Sequence, residues 1–351
     1  MSRNRRRSQK TSAPTAPTIR QVAEQAGVST ATVSRVLAGA DTVTEELSVR
    51  VRAAVSALNY RPNRIARSLR ARTTRTIGVV IPDIQNPFFT SVVCGIEEVL
   101  QTAGYTLLFG NSDEDPARER VHLENLPAEG VAGIIFTPLT QKMADYQALA
   151  AARLPLVAID RSPEGLTMDQ VTVDNAEGAR QAVAHLLDLG HRRIGLISGP
   201  VHLSTARERR AGYEQAFLEA GLSVPEDLIR YGDFRQAGGR ASMRELLALG
   251  PRPTAVFVGN NMMTLGALET IHDAGLDIPR DISIVGFDNM PWATWFRPPL
   301  TTVEQPTREI GATAARLLLA RLREPDRPLQ HIILKTKLVV RASSGPVDGQ
   351  R

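Results

Sequence analysis

The chain has 351 residues, of which 42% are hydrophobic and 23% charged, with a net charge of +5 and one cysteine. This composition is typical of a globular protein of about two or three domains. It excludes an intramolecular disulfide and contains no run of about 18 apolar residues that could span a membrane. No apolar stretch follows the N-terminal arginines, so we expect no secretory signal and a location in a reducing cytoplasm.

The charge is concentrated at one end of the chain. Residues 1–75 hold 15 lysines and arginines against 4 acidic residues, whereas the remaining 276 residues hold 27 against 33. A basic first fifth on an acidic body predicts a polyanionic partner for that fifth alone. Residues 1–17 lack hydrophobic periodicity and are rich in Arg, Ser, Thr and Pro, so we expect a disordered basic arm that attracts DNA without sequence preference.

The stretch TIRQVAEQAGVSTATVSRVL, from Thr18 to Leu37, predicts two short helices joined by a tight turn. Gly27 can end the first helix and Ser29 can cap the second. The second helix would present small side chains and one arginine, which suit thymine methyls and guanine in the DNA major groove. These outward residues are Thr30, Ala31, Ser34 and Arg35. The alternative is a plain helical hairpin with a solvated polar face.

A third helix is predicted after Thr44, a candidate N-cap, because an apolar stripe follows it. Pro62 breaks that helix and can start another in NYRPNRIARSLRAR. There Ile65, Ala66 and Leu69 form an apolar wedge among arginines, which suits insertion into the minor groove. The alternative is a flexible basic linker. The two interpretations are compatible if the segment is disordered without DNA and becomes helical on DNA. The stripe of the third helix comprises Leu47, Val51, Ala54 and Leu58.

From Thr76 onward, apolar runs of strand length alternate with helical stretches. Runs this apolar predict parallel strands buried on both faces, and hence a doubly wound α/β fold. Ligands of such sheets bind beyond the carboxyl ends of the strands. Cys94, within VVCG on a predicted helix, is expected to be a small buried hydrophobic residue. The runs are TIGVVIP, TLLFG, GIIFT, LVAID, RIGLISG, AVFVG and ISIVGFD.

Seven motifs in this order resemble the lactose-repressor family of bacterial transcription regulators, and the resemblance covers about residues 18–342. It implies a helix–turn–helix domain at 18–62, a hinge helix and linker at 63–75, an effector-binding core at 76–342 and a tail at 343–351. The motifs are VAEQAGVSTATVSRVL, NYRPNRIARSL, NPFF, GHRRIGLISGP, ARERRAGY, VGFDN and PLTTVEQP.

The resemblance further implies that the core consists of two subdomains like those of periplasmic binding proteins, with three crossing strands. The crossings would fall near Asp174, Val303 and His331. Subdomain one would then span about 76–174 and 304–330, and subdomain two about 175–303 and 331–342.

Roles for individual residues also follow from the resemblance. Thr30, Ala31 and Arg35 would face base edges; Thr32, Ser34 and Tyr60 would hold phosphates; Leu69 would be the minor-groove wedge, with Ala66 and Arg70 beside it. The core resembles that of the ribose-binding protein, whose sugar site corresponds here to Asn86, Phe88, Phe89, Asp160, Arg161, Arg209, Phe234, Asn260, Asp288 and Gln305.

These residue types fit a sugar, whose C–H faces pack on aromatic rings and whose hydroxyls need several planar donors and acceptors. We therefore expect a repressor whose operator affinity is controlled by a sugar, D-ribose first. The alternatives are another pentose, a hexose or a nucleoside. A transport-type sugar-binding protein is disfavoured by the helix–turn–helix, and an enzyme by the lack of a phosphate loop, nucleophile elbow or metal cluster.

Three departures from the family pattern bear on function. Leu203 stands where the purine repressor has an arginine for its base, which weakens a purine reading. Asn261 stands where aspartate is usual, at a helix start, and should cap that helix about as well. No leucine heptad follows Arg341, so a tetramerising coiled coil is excluded.

The expected partners are operator DNA, a sugar effector and a second copy of the chain, with no cofactor, metal or membrane. The homodimer would form largely through the apolar helix after NPFF, because that helix is too apolar for a solvated face. The expected location is cytoplasmic and associated with the nucleoid. The residues assigned to the dimer contact are Val92, Val93, Ile96, Val99 and Leu100.

Overall fold

The computed structural model describes residues 17–37, 43–60, 74–140, 146, 154–162, 165 and 167–347. The chain divides into two compact units, Met1–Thr74 and Arg75–Arg351. The basic arm, the end of the tail and the hinge segment with Ala66, Leu69 and Arg70 lie outside the described residues. Within the described ranges, no helix is long and apolar enough to cross a membrane.

The described part of the first unit consists of three helices: α1 (Ile19–Ala26), α2 (Thr30–Leu37) and α3 (Glu45–Ala57). Their inward faces form one apolar core around Val22, Val33 and Val51, none of which is exposed to solvent. The spacing of apolar residues therefore predicted both the helices and the side that each one buries.

The ends of these helices follow from single side chains. Thr18 and Gln21 form a reciprocal capping box at the start of α1, which the sequence analysis did not identify. Gly27 ends α1 in the left-handed region with φ +61°, and the Ser29 hydroxyl accepts from Thr32 N at 3.1 Å, both as predicted. Thr44 occupies the N-cap position of α3, but its side chain makes no capping hydrogen bond there.

The second unit contains two six-stranded sheets, each flanked by helices, with strand orders β11-β5-β4-β3-β1-β2 and β12-β10-β9-β8-β6-β7. All pairings are parallel except β10 with β12. The strands are β1 (Thr76–Ile81), β2 (Thr106–Asn111), β3 (Gly133–Phe136), β4 (Leu156–Ile159), β5 (Asp169–Val173), β6 (Ile194–Ser198), β7 (Ile229–Tyr231), β8 (Ala255–Val258), β9 (Ser283–Phe287), β10 (Thr301–Glu304), β11 (His331–Leu334) and β12 (Lys337–Val339).

Helices connect most of these strands, so each sheet with its helices forms one lobe. The described helices of the core are α4 (Pro87–Thr102), α5 (Pro116–Ala128), α6 (Asn175–Asp188), α7 (Ser204–Glu219), α8 (Gln236–Leu247), α9 (Asn261–Asp273) and α10 (Thr307–Arg323). Short 3-10 turns occur at Glu226–Leu228 and Pro291–Thr294. All seven strands predicted from apolar runs are present, and the doubly wound architecture is confirmed.

The chain passes between the lobes at Asp174, after Glu304 and at Lys335–Thr336. The crossing expected near His331 lies about four residues later, because His331–Leu334 pairs with β5 in the first sheet. The first and third crossings are tied together, since the Asp174 carboxylate accepts from Thr336 N at 2.7 Å and from its hydroxyl at 2.8 Å.

Two glycines bring α4 and α10 into backbone contact in the first lobe. A Cβ added at Gly95 would lie 2.1 Å from Arg308 O, and one at Gly311 would lie 2.0 Å from Val92 O. Both distances are far below van der Waals contact, so only glycine permits this approach. The two helices are thereby locked together along the side of the sheet.

This packing corrects two expectations about α4. Val92, Ile96 and Leu100, assigned to the dimer contact, are fully or almost fully buried inside their own lobe, against α10 and the sheet. They are apolar because they form that core. Cys94, expected to be buried, is instead exposed, since it lies on the opposite side of the helix.

Candidate functional site

The first candidate site is the outward face of α2. Thr30, Ala31, Ser34 and Arg35 are exposed, as the helical spacing predicted, while Thr32 and Tyr60 are half-buried. The Thr32 hydroxyl lies 3.0 Å from that of Ser29, and Tyr60 packs against the three-helix core. The face is made of small polar and methyl groups beside one arginine, which are the groups that read base edges in a major groove.

The second candidate site is a narrow cavity of about 30 Å³ within the core. It is lined by side chains of both lobes, and all ten residues predicted for the sugar site are among them. Four further residues line it that the sequence analysis did not assign: Asp83, Glu114, Thr205 and Arg235.

The site residues lie where the parallel strands end. Asp160 and Arg161 follow β4, Asn260 follows β8, and Asp288 follows β9. Four of the lining residues are non-glycine residues in the left-handed region: Glu114 at φ 56°, Asp160 at φ 65°, Phe234 at φ 62° and Asp288 at φ 78°. Backbone conformations of this kind cost free energy and concentrate at functional sites.

Asp288 is buried and held by two donors. Its Oδ1 accepts from Gln305 Nε2 at 2.5 Å, and its Oδ2 accepts from Asn261 N at 3.2 Å. Burial raises the pKa of the carboxyl, while Arg209 and these hydrogen bonds oppose the rise. Gln305 Oε1 is buried and has no hydrogen-bond partner among the described residues, so it is left to accept from a bound molecule.

Asp160 is the less satisfied of the two carboxylates. Its nearest cation is Arg161, whose Nε lies 3.6 Å from Oδ2. Burial raises the pKa of Asp160 to about 6, although Arg161 and Arg209 act in the opposite direction. A hydroxyl group donating into the cavity would stabilise the ionised carboxylate.

The two buried arginines have separate partners. Arg161 donates through both terminal nitrogens to Glu114, at 2.9 and 2.6 Å. Arg209 instead donates from Nε to Asn175 Oδ1 at 2.9 Å and from Nη1 to Gly259 O at 2.6 Å. Its guanidinium lies 3.8 Å from the ring centroid of Phe287, and burial lowers its pKa.

Three phenylalanines supply the apolar walls. Phe88 and Phe89 begin α4 in the first lobe and meet edge to face, with ring centroids 4.9 Å apart. Phe234 comes from the second lobe and packs 5.9 Å from the Arg161 guanidinium. All three rings are at least nine-tenths buried, so aromatic surface faces the cavity from both sides.

Two asparagines are fixed by the helices that they cap. Asn86 Oδ1 accepts from Phe88 N at 3.0 Å, at the start of α4. Asn260 Oδ1 accepts from Met263 N at 2.9 Å and its Nδ2 donates to Phe234 O at 2.9 Å. The cap of α9 is therefore Asn260, and the expectation that Asn261 caps this helix is wrong.

Three polar contacts join the lobes around the cavity. Asn261 Nδ2 donates to Asn86 Oδ1 at 2.8 Å, and Ser162 N donates to Ser204 Oγ at 3.0 Å. At the rim, Arg235 Nη2 donates to Asp113 Oδ1 at 2.8 Å. The described conformation thus has its lobes in direct contact.

His191 takes a structural position. His191 is buried, with Nδ1 2.9 Å from the Thr254 hydroxyl and Nε2 3.0 Å from Gly345 O. Among the residues that the structure describes, no group of three His, Cys, Asp or Glu side chains could hold a metal ion. The chemistry of the cavity is therefore that of carboxylates, guanidiniums, amides and aromatic rings.

Glu114 and its neighbour Asp113 are among the functional candidates that sequence reasoning missed. They follow β2 within NSDEDP, at the carboxyl end of a parallel strand. The rule that ligands bind beyond these ends would have selected this loop. It was passed over because it matches none of the motifs used above.

Comparison with known proteins identifies the families to which the two units of the chain are similar. Residues 18–63 match the family described as bacterial regulatory proteins, lacI family, and residues 183–344 match a periplasmic binding protein-like domain. The repressor PurR of Photobacterium profundum is 39% identical over 329 residues, which cover 93% of this chain and 98% of that protein.

Two further similar proteins are also transcriptional repressors. The ribose operon repressor of Escherichia coli (strain K12) is 36% identical over 333 residues, 93% of this chain and 99% of that protein. The structure of the Lac repressor dimer bound to operator and the anti-inducer ONPF has a TM-score of 0.85 and 31% identity, over 94% of this chain and 100% of that one. This chain therefore belongs to the lacI family of bacterial regulatory proteins, and it is a DNA-binding transcriptional repressor with a ligand-binding core rather than an enzyme.

Proposed function

We propose that the cavity binds a pentose, D-ribose before others, and that this binding controls the affinity of a homodimer for operator DNA. The observation that carries the proposal is the convergence of ten side chains, from separate segments of both lobes, on one cavity. A relative of 36% identity is named as a ribose operon repressor.

The chemistry of the lining supports a polyol. Phe88 and Phe89 on one side and Phe234 on the other can sandwich the C–H faces of a sugar ring. Asp160 and the free oxygen of Gln305 can accept from hydroxyls, and Arg161 Nε can donate, since it is buried without a hydrogen-bond partner among the described residues. A ligand that left these groups unpaired would lose about 1–3 kcal/mol for each.

A purine effector is the second candidate, because relatives up to 39% identical are named PurR. Leu203 argues against it. This residue stands where the resemblance implies an arginine for the base, and it is an apolar side chain, 2% exposed, packed in the core of the second lobe. It offers no donor to a base, so we rank ribose above a purine, and above another pentose, a hexose or a nucleoside.

Control of DNA binding would follow from closure of the cavity. A ligand touched by both lobes favours the closed form by its differential affinity for that state. The first lobe begins at Arg75, directly after the DNA-binding unit in the chain. In a homodimer, rotation of the first lobes would therefore alter how the two DNA-binding units engage an operator.

Calorimetry of the full chain tests the proposal, with D-ribose, other pentoses, a hexose, a nucleoside and purine bases as ligands. We expect the tightest binding for D-ribose. Asp288→Ala and Arg209→Ala should abolish ribose binding and the response of operator affinity, while Glu124→Ala, an exposed change on α5, should leave both intact. Absence of heat with every pentose would refute the ribose proposal and leave the repressor assignment standing.

A further inference from the structure

The turn between β2 and α5 places Glu114 in the lining of the cavity and Asp113 against Arg235 at its rim. Asp113 and Glu114 are consecutive residues in the left-handed region, at φ 57° and φ 56°. The turn is pinned to the end of β1, because Glu114 N donates to Pro82 O at 2.9 Å and Ser112 N donates to Ile81 O at 2.9 Å. Non-glycine residues adopt this conformation at a cost, so the surrounding structure holds both carboxylates in place.

Glu114 occupies the whole outer fork of Arg161. Its two oxygens accept from Nη1 and Nη2 at 2.9 and 2.6 Å, a bidentate ion pair. The Arg161 side chain is 3% exposed and that of Glu114 19%, so the pair lies largely inside the protein, with Glu114 on the side toward solvent. Only Nε of Arg161 remains without a hydrogen-bond partner among the described residues.

We infer that Glu114 determines the ligand class of this cavity, because it restricts the cavity to uncharged sugars and rejects phosphorylated ones. The inference rests on the sugar-binding function proposed above and specifies it further. A phosphate group binds an arginine through the same two-oxygen geometry that a carboxylate uses. Glu114 therefore already fills the position that a sugar phosphate would need.

The other charges around the cavity do not offer a substitute. The lining contains four acids, Asp83, Glu114, Asp160 and Asp288, against three arginines. Arg235 is engaged by Asp113, at 2.8 Å, and Arg209 by Asn175 and Gly259. A phosphate would thus enter a cavity with a small excess of negative charge, in which each of the three guanidiniums already donates to at least one acceptor.

The test compares D-ribose with D-ribose 5-phosphate on the full chain and on Glu114→Ala. The parent should bind ribose and discriminate against the phosphate. In Glu114→Ala the Arg161 fork is released, so affinity for ribose 5-phosphate relative to ribose should rise by roughly tenfold or more, since two charge-assisted hydrogen bonds become available. Inorganic phosphate, which the parent should not bind, should bind the variant as well.

Two controls separate this effect from net charge and from folding. Glu124→Ala removes one exposed acid at a distance from Arg161 and should keep the selectivity of the parent. Glu114→Gln retains the size of the side chain but not its charge, and should gain phosphate ester affinity to a smaller degree. Thermal melting of each variant establishes that it folds.

The outcomes are distinguishable. If the parent binds ribose and ribose 5-phosphate equally, or if folded Glu114→Ala and Glu114→Gln keep the selectivity of the parent, Glu114 does not set the ligand class. If the parent binds no pentose at all, the proposed function itself is wrong, and the selectivity inference for pentoses is overturned with it.

Discussion

Asn261 of the second lobe donates a hydrogen bond to Asn86 of the first lobe, with 2.8 Å between Nδ2 and Oδ1. Both amides are fixed in orientation. Asn86 Oδ1 also accepts from Phe88 N, and Asn261 Oδ1 accepts from Met262 N at 2.7 Å. The donor and the acceptor of this contact therefore cannot exchange roles without breaking two backbone hydrogen bonds.

Asn261→Asp should consequently weaken the closed form. The new carboxylate cannot donate to Asn86 Oδ1, and it adds a charge beside Asp288, whose Oδ2 already accepts from the backbone of residue 261. Loss of one buried hydrogen bond costs about 1–3 kcal/mol. We expect the affinity for D-ribose, measured by calorimetry, to fall by roughly tenfold.

The matched control is Asn125→Asp, which introduces the same charge at an exposed position of α5. Small-angle scattering of the ligand-free core should show a larger radius for Asn261→Asp than for the control. Equal affinities and equal radii for the two variants would remove Asn261 from any role in closure.

The pH dependence of stability should report on Asp160. Its pKa in the folded protein is about 6, raised from the ordinary value of 3.8 by burial. Between these two values the folded state binds the proton more tightly than the unfolded state, so stability falls as pH rises through this window. Below this window Asp160 is protonated in both states and its burial costs no stability. Above about pH 6 the full cost of burying the ionised carboxylate applies.

Asp160→Asn removes this titration while keeping the size of the side chain. The unfolding free energy of the variant is compared with that of the parent at each pH, without sugar present. The difference in favour of the variant should be about 1–3 kcal/mol larger at pH 7.5 than at pH 5. Urea unfolding at the two pH values measures this double difference, from which the titration of other groups cancels. The same difference between parent and variant at both pH values would mean that Asp160 does not titrate in this window.

The exposed face of α2 makes a prediction for DNA. Arg35 is exposed and is the arginine of that face, so Arg35→Ala should cost about 1–3 kcal/mol in operator binding and relax one base position of each half-site. Arg20→Ala, at an exposed residue of α1, is the charge-matched control. A footprint or selection with unchanged base preference in Arg35→Ala would show that this arginine does not read sequence.

For the predicted homodimer, exposed apolar residues in the first lobe suggest a contact surface that the sequence did not indicate. Ile84 and Phe109 are large apolar residues, 49% and 37% exposed, and they lie beside the outer face of α4. We expect Phe109→Asp to shift the protein toward a monomer in light scattering at micromolar concentration. Val121→Asp, at an exposed apolar residue of α5 away from these residues, should leave the dimer intact. A parent that is already monomeric, or a Phe109→Asp protein that remains dimeric, would contradict the assignment.

The sequence predicted the parts of the fold that depend on long apolar runs. All seven such runs are strands, because a strand buried on both faces requires apolar residues throughout. Asp169–Val173 and Thr301–Glu304 contain several polar residues and gave no comparable signal. The position of the third crossing was also not readable, since HIILKTKLVV continues with similar residues across Lys335–Thr336, where the chain changes sheet.

For the cavity, the resemblance supplied ten lining residues, but it did not supply their partners. The pairing of Arg161 with Glu114 depends on a turn distant in sequence, and the contact of Arg209 with Asn175 depends on the packing of α6 and α7. Periodicity also could not separate an apolar helix face that meets its own sheet from one that meets another subunit. That is why Val92, Ile96 and Leu100 were assigned to the dimer contact.

The glycine contact between α4 and α10 gives the first lobe an unusual mechanical property. Phe88 and Phe89 touch the cavity at one end of α4, and the helix runs 16 residues, or about 24 Å, to Thr102. With backbone pressed on backbone at Gly95 and Gly311, no soft layer of side chains can absorb a displacement between the two helices. If a ligand that contacts Phe88 and Phe89 tilts α4, α10 should therefore move with it. The displacement should reach the far end of the lobe without loss. A single methyl group added at Gly95 would push α4 away from α10 and make the first lobe more flexible.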